Sequence, residues 1–95
     1  MGAVPVRVAI EPWGNNGEAL WVQSAEAILW KWFGSRLDAC VEATQLGLAA
    51  REVLPSGERF SLVVRYSAKE NPIADFDQLA SFGFEPPPAN TKVPI

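Results

Sequence analysis

Histidine is absent from this 95-residue chain, and cysteine occurs once, as Cys40. The first absence removes the imidazole base of Ser-His-Asp and Cys-His catalysis, together with the commonest metal ligand. The second removes intrachain disulfides, paired-thiol redox chemistry and thiolate zinc sites. No metal and no cofactor are therefore expected. No apolar run reaches the ~18 residues of a membrane-spanning helix. No charged start followed by an apolar run marks a signal peptide. The expectation is a cytoplasmic protein without a membrane segment. Phosphate-cradling patterns are missing too, since Gly14-Asn15-Asn16-Gly17 matches neither the dinucleotide fingerprint nor the P-loop.

Basic charge is scarce. Eight Lys and Arg stand against eleven Asp and Glu, for a net charge of −3, and no two basic residues are adjacent. Each phosphate contact needs its own cation, so this balance argues against a nucleic-acid partner. What the chain does have is apolar bulk: 48% hydrophobic residues, including four Trp and five Phe. That content suits one folded domain, which needs no staples at this length. We assign residues 1–84 to the domain. Residues 85–95, with Pro86-Pro87-Pro88, form an extended tail without a core of its own.

Period-2 alternation marks the strands. Val4, Val6, Val8 and Ile10 point one way over residues 3–11, with Pro5 at a strand start or an edge. Turn-forming Pro12 to Gly17 leads into a second strand over 18–23, which predicts a hairpin with a loop of about six residues. Residues 59–67 alternate again, with Phe60, Leu62, Val64 and Tyr66 on one side.

Between these strands, residues 24–54 read as one long helix capped by Ser24. Lys31, Ser35, Asp38, Glu42, Gln45 and Glu52 keep one polar phase around it. Ser35 with Asp38 also offers a fresh cap, which would divide the segment into two helices. A last helix follows, with Asn71 as its cap, Pro72 at its first position and Gly83 at its end. Ile73, Phe76, Leu79 and Ala80 form its buried stripe. The fold class expected is α+β: a small antiparallel sheet of about three strands in the order β-β-α-β-α, with one long and one short helix packed on one face.

A helix of that composition carries more apolar surface than one core can cover. Trp32 falls on the core side, whereas Trp30, Phe33, Leu37, Val41 and Leu48 form a second stripe. Such a stripe points to an interface. The expected function is a non-catalytic protein-interaction module whose partner is a second copy of the chain or another protein. The alternative is a small-molecule or anion-binding domain. It would use Arg7, Trp21, Arg59 and Arg65 on the open sheet face, or a pocket between helix and sheet. Glu11 and Glu18 flank Trp13 and are the one carboxylate pair placed for acid–base work on a sugar, although two acids beside a turn are explained as well by solvation. Cys40 lies among apolar neighbours and reads as structural.

Overall fold

The segment Ile28–Phe33 decides the architecture. Four of its six residues (Ile28, Trp30, Trp32 and Phe33) are β-branched or aromatic, types that suit a pleated surface. In the computed structural model, which describes residues 2–95, this segment is a strand. The chain runs β1 (Val4–Pro5), β2 (Arg7–Trp13), β3 (Gly17–Gln23), β4 (Ile28–Phe33), α1 (Arg36–Gln45), β5 (Ala49–Pro55), β6 (Leu62–Ala68), β7 (Ile73–Ala74) and α2 (Phe76–Ser81). The expected single helix over 24–54 is replaced by strand, helix and strand. The expected β-β-α-β-α order and single three-stranded sheet are corrected with it, because strand takes 41% of the chain and helix only 17%.

Three local signals divide that stretch. Ser24 does cap, but it caps a turn: its Oγ accepts from the N–H groups of Glu26 and Ala27, and the Ser24 N–H reaches the Ala27 carbonyl at 2.8 Å. This tight reversal sends the chain back along β3. Ser35 then adopts extended backbone, and its side chain accepts from the Asp38 N–H at 3.1 Å to start α1. Gly47, at φ +76°, ends the helix. The N–H groups of Gly47 and Leu48 fold back onto the carbonyls of Thr44 and Ala43, which is the paired bonding of a left-handed helix stop.

β2, β3 and β4 form an antiparallel meander with β3 in the middle. The β2–β3 hairpin is present as expected, but pairing continues to Trp13 opposite Gly17, so only Gly14, Asn15 and Asn16 make the loop. Pro12 is accommodated because β2 is an edge strand. The inner sheet face carries Val8, Ile10, Leu20, Val22, Leu29 and Phe33. It packs against Ala39 and Ala43 of α1, with Leu48, Leu79, Phe84 and Val6 closing the core. The two alanines, four residues apart, let the helix lie close to the sheet. Each fully buried aliphatic chain here contributes about 1.5–3 kcal/mol.

Two smaller pairs complete the fold. β1 and β7 make a two-residue ladder beside this core, and β5 and β6 pair only with each other. The last helix starts later than expected. Asp75, not Asn71, is its cap, and its side chain accepts from the N–H groups of Asp77 and Gln78. Asn71 instead takes a left-handed turn at φ +50°, and Ile73 joins β7 and stays exposed. Gly83 ends α2 at φ +90° as the sequence implies, and Phe84 packs into the same core as Leu79.

The radius of gyration is 14.5 Å, above the ~13 Å typical of a 100-residue compact domain. The 49 × 33 × 22 Å extents agree with an elongated body. No helix among the described residues is long and apolar enough to cross a membrane.

Candidate functional site

The residues expected to share one helical stripe are dispersed. Phe33 and Leu48 are buried in the main core, Leu37 and Val41 are exposed on α1, and Trp30 is buried on the opposite side of the sheet. A period-2 element explains the last case: Trp30 and Phe33 are three positions apart on a strand and so face opposite ways. The arginine set is dispersed as well. Arg7 lies on β2 beside Gln23 of β3, whereas Arg65 lies on β6 and is held by Glu52 of β5 at 2.7 Å. Arg59 stands outside the strands with its guanidinium 5.1 Å from the Phe60 ring centre. The alternative anion site therefore has no convergent cations. Glu11 pairs opposite Ala19 and Glu18 opposite Pro12, which puts the two carboxylates on opposite faces of the hairpin. Cys40 is half-buried and free.

Two surfaces stand out, apart from a cleft of about 530 Å³ beside Arg7 and Gln23 and one of about 390 Å³ beside Val4 and Phe76. The first is the outer face of the meander. Register places Trp13, Trp21, Trp30 and Trp32 together there, on three adjacent strands. Three of the rings touch. Trp21 and Trp30 stack with centres 5.4 Å apart, and Trp13 meets both edge-on at 5.7 and 4.9 Å. Ala9 and Ala19 supply the small residues between them. Trp32, at the border, is 51% exposed and reaches the Trp13 carbonyl through its indole N–H at 3.4 Å. The tail crosses this face: Val93 and Ile95 pack on the buried indoles, and Glu85 exchanges two backbone hydrogen bonds with Trp30 at 2.9 and 3.0 Å. The indole nitrogens of Trp21 and Trp30 are buried with no acceptor.

The second surface is the β5–β6 ribbon. Its register divides the side chains cleanly. Val53, Val64 and Leu62 share one face with Pro55, while Leu54 and Val63 share the other with the Glu52–Arg65 ion pair. Leu62 is 69% exposed, and Val53, Val63 and Val64 are each close to half exposed. At the tip, Phe60 is 93% exposed and holds φ at +64°, a conformation that bulky residues rarely adopt. A two-stranded hairpin is marginal in water by itself, and this one leaves apolar residues bare on both faces.

A cleft of about 170 Å³ runs between the ribbon base, β2 and α1, lined by Ile10, Cys40, Ala43 and Tyr66 among others. It is smaller than the ~300–1,000 Å³ of ordinary small-molecule sites. Among the described residues, no group of three or more acidic or cysteine side chains comes together to hold a metal ion. Comparison of the chain with protein-family models, with curated proteins and with solved structures returns no match.

The ribbon and the tryptophan face were only partly visible in the sequence. The alternation over 59–67 exposed half of the ribbon, and a second strand in 49–55 could have been found from Gly47 as a helix stop. The Trp30/Trp32 spacing of two, read as strand rather than helix, puts both indoles on one face.

Proposed function

We propose that the protein is a non-catalytic interaction module that self-associates, and that the contact is made by the β5–β6 ribbon. The observation that carries this reading is the ribbon's bareness: two strands, paired with nothing else, with Val53, Leu62 and Val64 on one face and Val63 on the other. The face bearing Val53, Leu62 and Val64 is the more continuous of the two. Two copies related by a two-fold axis would each offer it to the other, because a two-fold contact uses the same patch twice. The opposite face keeps the Glu52–Arg65 pair in water, where it escapes the desolvation cost that burial in an interface would impose. Burying three such side chains per copy gives several kcal/mol of apolar driving force, at about 25 cal/mol per Å². A cytoplasmic setting belongs to the same reading, and the free thiol of Cys40 is its support.

The test is light scattering on the wild type and on Val64→Lys. A dimer that becomes a monomer on substitution, with an unchanged far-ultraviolet circular dichroism spectrum, supports the reading. A wild type that stays monomeric at the highest soluble concentration removes it.

A further inference from the structure

The tryptophan face is covered, but its cover is a poor match. Burying an N–H donor without an acceptor costs about 1–3 kcal/mol, and this face does so twice, at Trp21 and Trp30. The two residues are 0% and 7% exposed, so neither indole lies open to bulk water. A cleft of about 360 Å³ also stays open between Trp13 and Trp21 on one side and Lys92, Val93 and Pro94 on the other. The covering segment therefore fills the apolar part of the face and leaves the polar part unmet.

The segment itself shows what chemistry the face accepts. It is tied down at Glu85, turns where the Thr91 N–H meets the Pro88 carbonyl at 3.3 Å, and returns to lay Val93 and Ile95 on the indoles. Aliphatic residues two apart point the same way only in extended backbone, and Pro94 between them keeps the backbone extended. Lys92 and Glu11 border the same cleft, a cation on the segment and an anion on the sheet. Proline-rich extended chains keep their carbonyls free to accept, and aromatic grooves with indole donors are the surfaces that recognise them.

We propose that the outer face of the meander is a binding site for an extended, proline-containing peptide of another protein, carrying a basic residue beside two aliphatic residues spaced by two, and that residues 89–95 are its tethered occupant. The partner peptide displaces the segment and gives the Trp21 and Trp30 indoles the acceptors they lack. The tether matters quantitatively, because a segment held by a short linker competes at an effective concentration in the millimolar range. Wild-type protein therefore binds a free peptide weakly until the segment is loosened.

The experiment uses the full chain and an acetylated, amidated peptide Lys-Val-Pro-Ile-Pro-Pro-Pro-Ala, which keeps the pattern of residues 92–95 and adds proline carbonyls that the tethered segment does not place on the face. With ¹⁵N-labelled wild type, millimolar peptide moves two indole N–H resonances downfield as they gain acceptors, and assignment gives them to Trp21 and Trp30. A Val93→Asp/Ile95→Asp chain, with its own segment loosened, binds the same peptide at least about tenfold more tightly. A control peptide with Asp at both aliphatic positions does not bind. No movement of these indoles in the wild type at saturating peptide overturns the proposal whether or not the variant folds. Equal affinity of the folded variant and the wild type overturns it as well. Indole shifts that grow with protein concentration in the absence of peptide would assign the site to the segment of a second copy, and would also overturn it.

Discussion

Lys31 and Glu42, eleven residues apart, meet at 2.6 Å between Nζ and Oε2. On one continuous helix they would share a face about 16 Å apart, at 1.5 Å per residue. They touch because β4 and α1 fold onto each other, and Lys31 extends the link by donating to the Phe82 carbonyl at 2.8 Å. Its ammonium also lies 5.1 and 5.9 Å from the ring centres of Phe33 and Phe84. One side chain thus joins the sheet, α1 and the end of α2.

Replacing this lysine should be costly. Lys31→Met leaves Glu42 without its cation and the Phe82 carbonyl without a donor, which is expected to lower stability by about 1–3 kcal/mol. The double variant Lys31→Met/Glu42→Met should recover part of that loss, because removing both partners leaves no lone charge in a half-buried site. Urea unfolding of the four proteins of this cycle measures the coupling, and additive losses would show that the pair contributes nothing.

How much of this fold was readable in the sequence follows from the same pair. Lys31, Ser35, Asp38, Glu42 and Glu52 keep a helical phase across residues that belong to a strand, a turn, a helix and a second strand. The polar phase is real only within α1. Elsewhere it coincides with the alternation of strands, since any run of polar residues spaced three or four apart fits a helix when the breaks are ignored. The breaks were present. Gly34-Ser35 and Gly47 flank α1 as stop, cap and stop, and their local chemistry outweighs the phase. The β2–β3 hairpin and residues 62–67 of β6 were legible because alternation there competes with no other pattern, whereas 59–61, expected in the same strand, lie in the turn before it, where Phe60 takes φ +64°. The union of the four tryptophans was not, because it depends on the pairing register between three strands.

Gly47 offers a clean measure of that stop signal. A Cβ at this position meets no atom within 4 Å, so only the backbone opposes a side chain. Gly47→Ala must hold φ +76°, and is expected to lose about 1 kcal/mol. Gly47→Asn should lose less, because asparagine tolerates the left-handed region. Thermal unfolding ranks the three proteins, and an alanine variant as stable as the wild type would mean that α1 ends for another reason.

Gly17 is constrained by a neighbour instead. A Cβ there would overlap the indole of Trp32, which lies across the glycine from the adjacent strand. Since Trp32 is half exposed, its ring can swing away. Gly17→Ala should therefore cost about 1–2 kcal/mol in lost ring contact and off-rotamer strain rather than prevent folding. Tryptophan emission should shift to the red as the displaced indole meets water. An unchanged spectrum with a full loss of stability would place the damage in the hairpin backbone instead.

Amide hydrogen exchange tests whether the β5–β6 ribbon meets a second copy. Leu20, Trp21 and Val22 are fully buried on β3, which is bonded on both sides, so their amides should open only with the whole fold. The amides that bond across the β5–β6 ladder have no second neighbour and little cover, and in a dilute sample they should exchange orders of magnitude faster. If the ribbon joins two copies, its protection rises with protein concentration while that of β3 does not, as mass action requires of a contact made only by the folded pair. Val64→Lys should abolish the rise and leave β3 unaffected. Ribbon protection that is already high and independent of concentration would mean that the two strands stand without help, and their exposed valines would then no longer argue for a second copy.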